Sequence, residues 1–136
     1  MLLIFNLAGS CLFVRRTGSS DWFFPKGRIE FGEGIIGAAR REAKEGTGAV
    51  IEPIGVPLCQ RVTIRFSNLT FQRGHFVVVA ETTMSDFESL DRHKIEEARL
   101  FDPPPHIDNV ILMGWMLELH RAGTRYLRSM DVMDGI

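Results

Sequence analysis

The sequence predicts an α+β fold in which a mixed β-sheet lies between two helices. Two observations support this prediction. Strand-like apolar runs flank a short amphipathic segment, and a longer apolar segment closes the chain. With 136 residues and 45% hydrophobic composition, the chain can form one domain with a buried core but is too short for two. We therefore expect a single domain over residues 1–136, with its core at 1–128 and a frayed tail at 129–136.

The N-terminal part of the chain predicts three strands. Met1–Asn6 and Cys11–Arg16 are short apolar runs separated by "LAGS", an arrangement typical of a β-hairpin. Trp22–Phe24 is a short aromatic strand that the following proline stops, and Lys26-Gly27 begins a turn.

A helix is expected to begin near Ile35 and to run to about Glu45. At about 100° per residue, its apolar side chains fall on one arc, namely Ile35, Ile36, Ala39 and Ala43. Glu42 and Glu45 lie on a flank beside this arc. Gly46 and Gly48 then end the helix.

The second half of the chain predicts two longer strands and a closing helix. "LCQRVTIRF", residues 58–66, alternates apolar and polar side chains, and a Ser-Asn turn leads into a run ending "HFVVVAE". Residues 82–98 form an acidic, mobile-looking stretch, "RLF" is a last short strand, and "DPPPH" excludes regular structure. Asp108 is expected to cap a helix that ends near Gly123.

Charge and cysteine content limit the classes of function. A formal net charge of -1 provides no overall basic field, so nucleic acid is not expected as a partner. Cys11 and Cys59 are too few for a disulfide framework and are expected to be small buried residues in a reducing compartment. The apolar start lacks the positive flank of a signal peptide, and no run of 18 apolar residues exists to span a membrane. We expect a cytoplasmic protein.

Two glutamates on the predicted helix suggest a cation site. Glu42 and Glu45 are like charges at positions i and i+3, which repel each other, and they lie beside the buried arc where water screens them less. Mg²⁺ typically takes one or two carboxylates, several waters and substrate phosphate oxygens. A backbone carbonyl from the Lys26-Gly27 turn would complete such a site. The alternative is a solvated acidic flank paired with Arg40 and Lys44.

The residues around these glutamates form a longer pattern. Gly27, five residues, Glu33, seven residues and then "REAKEGTGA" resembles the Nudix box, G-x5-E-x7-R-E-U-x-E-E-x-G-U, where U is aliphatic. Eight of the nine specified positions match when Ala43 and Ala49 are counted as aliphatic. The order of strands and helices is also similar to a Nudix domain, which implies a Nudix-like α/β/α sandwich.

The resemblance implies hydrolysis of a nucleoside diphosphate linked to another group, with Mg²⁺ or Mn²⁺ as the cofactor. It implies that Glu42 and Glu45 are metal ligands, with Glu42 also a candidate base, and that Glu33 and Arg41 form a structural pair. It further implies that Lys26 offers its main-chain carbonyl to the metal and its ammonium group to phosphate. The chemistry is consistent, since a metal polarises a phosphoryl oxygen and a carboxylate orients the attacking water.

The sequence departs from the Nudix pattern at Gly46, where the family has a glutamate that usually binds metal. One alternative is that a carboxylate from the acidic segment replaces it, the candidates being Asp86, Asp91, Glu96 and Glu97. A second is that the chain binds nucleotides and hydrolyses them poorly. A third explanation concerns only the backbone, because glycine at this position is a good left-handed helix stop.

The "FPKG" form of the turn narrows the range of candidate substrates. It resembles Nudix members that act on dinucleoside polyphosphates, inositol pyrophosphates or capped RNA ends, and the charge of Lys26 suits a long polyphosphate. The substrate-binding candidates are Lys26, Arg28, Arg61, Arg65 and Phe66. Four of them have an alternative: Lys26 as a surface residue on a tight turn, Arg61 and Arg65 as solvated strand charges, and Phe66 as part of the core.

The resemblance and these residues lead to one expected function and several alternatives. We expect a metal-dependent pyrophosphohydrolase whose small-molecule substrate is a nucleoside polyphosphate, diadenosine tetraphosphate being the first choice. The alternatives are a house-cleaning nucleoside triphosphate pyrophosphatase and a nucleotide-sensing module with little turnover. An RNA 5′-end pyrophosphohydrolase would require a basic channel, which the near-neutral charge does not favour. Either a monomer or a homodimer is expected.

Overall fold

The computed structural model describes residues 1–134, and within this range it leaves out the side chains of residues 60, 62, 64, 66, 71–74 and 131–134. The elements follow in the order β1 (Leu2–Phe5), β2 (Cys11–Arg16), β3 (Trp22–Phe23), α1 (Ile35–Thr47), β4 (Glu52–Pro53), β5 (Leu58–Phe66), β6 (Leu69–Glu81), β7 (Ile95–Phe101) and α2 (Val110–Asp134). The predicted α+β architecture with a mixed sheet is confirmed.

The centre of the sheet is a parallel pair formed by β1 and β6. Leu2 lies opposite Val78 and Phe5 lies opposite Glu81. On its other side β1 pairs with β2, which also pairs antiparallel with β3 and, along its whole length, with β7. All four residues of β1 are buried, as expected of a central strand covered on both faces.

A long antiparallel ribbon extends from this sheet. β5 pairs with β6 in continuous register from Leu58 opposite Val77 to Phe66 opposite Leu69. The two-residue strand β4 precedes β5 and pairs with the C-terminal end of β6. We call β5 together with residues 69–77 of β6 the ribbon, since the described pairings join residues 69–75 to β5 alone.

The two faces of the sheet carry two separate apolar clusters. The face beneath α2 is aromatic and includes Phe5, Phe13, Phe24, Val77, Val79, Met116 and Leu119. The face beneath α1 is built from smaller residues and includes Leu2, Ile4, Leu12, Ala39, Ala43, Val78 and Ala80. Successive residues of β6 therefore point alternately to α2 (Val77, Val79) and to α1 (Val78, Ala80), the strand period of two.

The termini of both helices differ from the sequence prediction. α1 continues through Gly46 to Thr47, and the left-handed cap is Gly48, with φ of 72°. The prediction that Gly46 ends the helix is therefore wrong. The cap of α2 is Asn109, whose Oδ1 accepts the N–H groups of Ile111 and Leu112 at 3.1 Å each, so the prediction of Asp108 is wrong by one residue.

The last helix is longer than expected. α2 passes through Gly123, where an end was predicted, and continues to Asp134. Gly123 has a packing role, because an added Cβ would lie 2.5 Å from Leu3 Cδ2. The division of the chain into a core at 1–128 and a frayed tail at 129–136 stays a prediction, and residues 135–136 lie outside the described part of the chain.

Two further predictions need correction, and one strand was missed. β7 begins at Ile95, so the stretch 82–98 that was expected to be irregular contributes the first residues of a strand that pairs with β2. β4 was not predicted at all. Cys11 is buried as expected, but Cys59 is exposed because it lies on β5, away from the sheet centre.

Candidate active site

The turn before α1 brings a glycine against a carboxylate. A Cβ added to Gly27 would overlap the carboxyl group of Glu42. Only glycine therefore lets the turn approach this side chain so closely. The contact places Glu42 against the backbone next to Lys26, whose main-chain carbonyl was the predicted additional ligand.

Arg41 is the centre of the ion pairs in this region. Its Nε and Nη2 atoms donate to the two oxygens of Glu33 at 2.8 and 3.0 Å, a bidentate pair. Nη2 also donates to the main-chain carbonyl of Arg28 at 2.8 Å, which fixes the turn to the helix. The predicted contact between Arg41 and Glu33 is present, and the structure adds the tie to Arg28.

The same guanidinium group also lies between the two candidate metal ligands. Nη1 of Arg41 donates to Glu42 Oε1 at 2.8 Å and to Glu45 Oε2 at 3.2 Å. The positive charge of Arg41 thus offsets the repulsion between these two glutamates. The alternative pairing with Arg40 is not what the structure shows, because Arg40 donates to the carbonyl of Ile51 instead.

The electrostatics follow from this arrangement. Hydrogen bonds from Arg41, assisted by the backbone N–H of Glu30, lower the pKa of Glu33 from its usual 4.5 to about 2. The bonds to Glu33 and then Glu42 raise the pKa of Arg41. Glu33 and Arg41 therefore form a charged pair at neutral pH.

The donor atoms suit a hard divalent cation. Glu42 and Glu45 bring two carboxylates to one flank of α1, and the glycine turn leaves backbone within reach of Glu42. Mg²⁺ and Mn²⁺ accept such a set when waters and substrate phosphates complete it. Among residues whose side chains are described, no group of three or more His, Cys, Asp or Glu is arranged to hold a metal, so the set here is a pair of carboxylates.

Gly46 lies on the same helix with open space around it. A Cβ added there meets nothing within 4 Å, and the residue belongs to regular helix. The backbone explanation for this glycine is therefore excluded, because Gly48 provides the helix stop. A longer side chain would fit at position 46 beside Glu45.

Two of the four predicted replacement ligands, Glu96 and Glu97, contact Arg15. Arg15 Nη1 contacts Glu96 at 2.9 Å, and its Nη2 contacts Glu97 at 3.4 Å. Along β7, Glu97 lies on the same face as Phe101, the α2 side, whereas Glu96 lies on the same face as Leu100, the α1 side. A replacement role for Glu96 stays a prediction, as do those for Glu97, Asp86 and Asp91.

The acidic segment approaches α1 elsewhere. The N–H of Leu90 and the hydroxyl of Ser89 both donate to the main-chain carbonyl of Glu45, at 2.9 and 3.3 Å. Gly48 packs against the backbone of Glu88, where an added Cβ would lie 2.5 Å from the carbonyl oxygen. Residues 88–90 are thus attached to the end of α1, close to the glutamates.

A cavity of about 380 Å³ opens beside Glu42. It lies between the box turn, α1, the first residues of β1 and the ribbon, and its lining includes Gly27, Arg28, Ile29, Ile35, Glu42, His75 and Phe76. Arg28, a predicted substrate residue, lines this cavity. The ammonium group of Lys26 lies 5.9 Å from the centre of the Phe23 ring.

The other predicted substrate residues lie on the ribbon. Arg61 and Arg65 are exposed on β5. The side chain of Phe66 lies outside the described residues, so its predicted contact stays a prediction. Sequence reasoning missed His75 and Phe76 in the cavity wall. Their position could not be recognised without knowing that β6 runs past β1, although the alternation of "HFVVV" indicated which residues share a face.

The NUDIX domain model matches residues 1–110, which is most of the chain. This chain belongs to the NUDIX family. The match confirms the predicted family, and it supports the predicted class, a Nudix-type hydrolase acting on phosphoric anhydride bonds. The contacts of Gly27, Glu33, Arg41 and Glu42 described above all lie within the box that carried the resemblance.

The NUDIX fold is shared with several solved structures. A NUDIX-family hydrolase from Clostridium perfringens has a TM-score of 0.66 at 15% identity, covering 93% of this chain and 95% of that chain. An Ap4A hydrolase binary complex from C. elegans has a TM-score of 0.56 at 18% identity, covering 99% and 97%. A UDP-X diphosphatase has a TM-score of 0.65 at 20% identity, covering 91% of this chain.

At such identities these similarities show the NUDIX fold alone. The chain spans 61% of the length of the UDP-X diphosphatase. A search of curated proteins found no match. Neither helix of the described residues is long and apolar enough to cross a membrane.

Proposed function

We propose that this NUDIX protein is a metal-dependent pyrophosphohydrolase of nucleoside polyphosphates, with a dinucleoside polyphosphate such as diadenosine tetraphosphate as the leading substrate. The observation that supports the proposal most strongly is the pair Glu42 and Glu45, which Arg41 joins, together with a cavity of about 380 Å³ that Glu42 lines. A carboxylate pair next to a cavity of nucleotide size suits hydrolysis of a phosphate chain.

Each residue has a proposed part in this reaction. Glu42 and Glu45 would hold Mg²⁺ or Mn²⁺ together with the carbonyl of Lys26, and the bound cation would polarise the phosphoryl group. Glu42 accepts a proton from the attacking water, since it is the carboxylate that lines the cavity. Arg41 and Glu33 fix the turn and the helix in one arrangement, so that both ligands are preorganised.

The substrate preference depends on cations around the cavity. Arg28 lines the cavity, Lys26 precedes Gly27 in the turn, and Arg61 and Arg65 continue the positive charge along the ribbon. A phosphate chain longer than a triphosphate would use more of these cations. The similar fold of the C. elegans protein, named as an Ap4A hydrolase, is consistent with this choice of substrate.

A second candidate function is a nucleotide-binding module with weak or no turnover. Gly46 favours it, because the third carboxylate of the family pattern is missing from an open position on the helix. A house-cleaning pyrophosphatase for nucleoside triphosphates is the alternative if a short phosphate chain suffices.

A substrate panel with Mg²⁺ and with Mn²⁺ tests the proposal. Released phosphate species from diadenosine tetraphosphate, nucleoside triphosphates and nucleoside diphosphate conjugates identify the bond that is cleaved. Glu45→Gln should lower kcat/KM more than tenfold, on the order of 1.4 kcal/mol of transition-state stabilisation. Full turnover in EDTA, or an unaffected Glu45→Gln enzyme, would refute the proposal.

The preference for a long phosphate chain is tested by replacing Lys26 in the turn. Lys26→Gly should weaken turnover of a dinucleoside tetraphosphate more than that of a nucleoside triphosphate. The reason is that the longer phosphate chain makes more contact with the ammonium group of Lys26. Equal losses on both substrates would limit Lys26 to a role in the turn.

A further inference from the structure

In the part of the chain that the structure describes, β5 has a neighbouring strand on one side only. It pairs with β6 from Leu58 to Phe66 and with no other described strand. Along an antiparallel ladder, residues alternately exchange hydrogen bonds with the partner strand and direct their N–H and C=O groups away from it. Every second residue of β5 therefore offers an N–H and a C=O group at an open edge, where a further strand can pair.

This edge lacks two of the devices that usually protect an open strand. Its sequence, "LCQRVTIRF", contains no proline, and its register with β6 is continuous, without a bulge. β7 also pairs with one described strand only, but its register with β2 is irregular. The nine residues of β5 exceed the most common strand length of about five or six. Its edge is thus long and regular.

The ribbon itself would gain from a third strand. Residues 69–75 of β6 are joined to β5 alone in the described pairings, so this part of the ribbon is a two-stranded structure. Two-stranded hairpins are only marginally stable in water, and independent stability requires three or more strands or a helix packed against them. A strand added to β5 would therefore stabilise the ribbon as well as bind to it.

The charge of the ribbon is of one sign. Residues 58–77 contain three arginines and one histidine and no Asp or Glu, although the whole chain has a net charge of -1. Arg61, Thr63 and Arg65 lie at alternate positions of β5 and are exposed, so they share one face. A strand that pairs with β5 would meet both arginines on this face.

These charges decide which strand fits. Unlike charges on directly opposite residues stabilise a pair of strands, and like charges destabilise it. Pairing with β5 of a second copy would gather two arginines from each copy on one face without any acid, so a second copy is disfavoured. An extended peptide with acidic residues four positions apart would place one acid opposite Arg61 and one opposite Arg65, whose Cα atoms are about 13 Å apart.

We propose that the open edge of β5 binds an acidic, extended peptide of another protein by strand addition. Main-chain hydrogen bonds hold the added strand, and Arg61 and Arg65 select acidic residues at positions i and i+4. The described residues that line the cavity come from elements other than β5, so this binding requires neither metal nor turnover. A bound peptide would occupy two of the proposed contacts of a long phosphate chain, and the binding assay therefore contains no nucleotide.

The probe is the peptide Val-Glu-Val-Thr-Val-Glu-Val-amide with a fluorescent label at its N-terminus, and binding is measured by anisotropy in EDTA. Two modified peptides carry N-methyl groups, one on the glutamates and the threonine, the other on the valines. Each modification removes the N–H groups of one strand edge and keeps the charge. One modified peptide should bind like the parent, and the other should bind about tenfold more weakly or worse. Equal affinities of the two, as charge attraction alone would give, would overturn strand addition.

Variants of the protein test the selection of acidic residues. Arg61→Gln/Arg65→Gln should bind the parent peptide about tenfold more weakly at low salt. Arg61→Lys/Arg65→Lys keeps both charges and should bind nearly as well as the wild type, which separates loss of charge from loss of folding. Arg121 and Arg125 are exposed on α2 at the same spacing, and Arg121→Gln/Arg125→Gln should leave the affinity unchanged. Equal weakening by both glutamine variants would overturn the role of β5.

Hydrogen exchange followed by NMR locates the bound peptide. The peptide should slow exchange at alternate N–H groups of Leu58–Phe66, which face the open edge, and should leave β7 unchanged. Slowed exchange at β7 without this alternation would overturn the proposal. A dimer of the free protein with the same alternate protection would assign the edge to a second copy, and would likewise overturn it.

Discussion

The two helices cover opposite faces of one sheet in different ways. α1 buries only small side chains, Ala38, Ala39, Ala43 and Thr47, and its flank is held by the ion pairs of Arg41. α2 buries Met116 and Leu119 against a cluster of phenylalanines. Small contacts bring the backbone of α1 close to the sheet, whereas large apolar contacts make α2 the main source of packing energy. We infer that changes on the flank of α1 affect catalysis, and that changes beneath α2 affect stability.

The largest expected effect is on activity, from Gly27→Ala. The new methyl group would occupy the position of the Glu42 carboxyl group and displace it from Arg41. We expect kcat/KM to fall more than about tenfold, or 1.4 kcal/mol in the barrier, while the protein remains folded. Gly37→Ala is the control, because its Cβ would make only an ordinary contact, 3.9 Å from Glu33 Cγ. Similar kinetics for the two variants would contradict the close approach as the reason for this glycine.

The next effect is on stability, from Gly123→Ala on α2. The added Cβ would lie 2.5 Å from Leu3 Cδ2 and 3.4 Å from the Phe5 ring, and both of these side chains are buried. Overpacking of this kind costs about 1–3 kcal/mol in the free energy of unfolding. Gly114→Ala is the matched control on the same helix, because it meets nothing within 4 Å and gains helix propensity. Urea denaturation of both variants measures the difference, and equal stabilities would show that α2 is not packed this tightly.

A smaller effect is expected from Gly46→Glu. Because Gly46 is helical and surrounded by open space, replacement should raise the free energy of unfolding by up to about 1 kcal/mol. The added carboxylate lies beside Glu45, so we also expect tighter Mg²⁺ binding and faster turnover at limiting Mg²⁺. The measurement is rate against Mg²⁺ concentration, with Glu96→Gln and Glu97→Gln as comparison proteins.

Two results would contradict this expectation. If a carboxylate of β7 already completes the site, Gly46→Glu would leave activity flat, and Glu96→Gln or Glu97→Gln would abolish it. If the variant folds with unchanged metal dependence and both Gln variants are fully active, the weakly catalytic module becomes the better description.

The smallest effect is the contribution of Glu33 to stability in acid. Its pKa is about 2 in the folded protein against a usual value of 4.5, because Arg41 hydrogen bonds favour the charged form. The folded state therefore holds this proton less tightly, and the stabilisation is complete above pH 4.5 and is lost as pH falls towards 2. Unfolding measured across this range should show a shallower pH dependence for Glu33→Gln. An unchanged profile would mean that the pair contributes nothing to folding.

Local signals account for what the sequence could predict. The strand-turn-helix box has a fixed spacing. The sequence alone could therefore assign five of its residues to one region, namely Gly27, Glu33, Arg41, Glu42 and Glu45. The strands β2 and β5 were predicted at their observed bounds, β2 as a short apolar run in a hairpin and β5 from its alternation over nine residues.

The remaining features depend on contacts between distant parts of the chain. β7 begins in an acidic stretch whose sequence shows no strand pattern. The strand forms there because Glu97 lies opposite Arg15 on β2 and pairs with it. α2 passes through Gly123 because that glycine packs on β1, which no local rule reveals. The hydrogen bonds from Arg41 to Glu42 and Glu45 likewise depend on the rotamers of three side chains, which the sequence does not give. Helix geometry alone had suggested a cation, or Arg40 and Lys44, as the partners of these glutamates.

The parallel pairing of β1 with β6 constrains when the sheet can assemble. The main-chain contact between Met1 and Phe76 spans 75 positions, and the strands between them cannot supply the partner that β1 requires. At translation rates of 5–20 residues per second, the ribosome needs about 4–15 s to add that many residues. Throughout this interval the four apolar residues of β1 have only β2 beside them, and the hydrophobic hairpin is a ready substrate for chaperones or for aggregation. The arrival of β6 closes the sheet centre and creates one wall of the cavity in the same step.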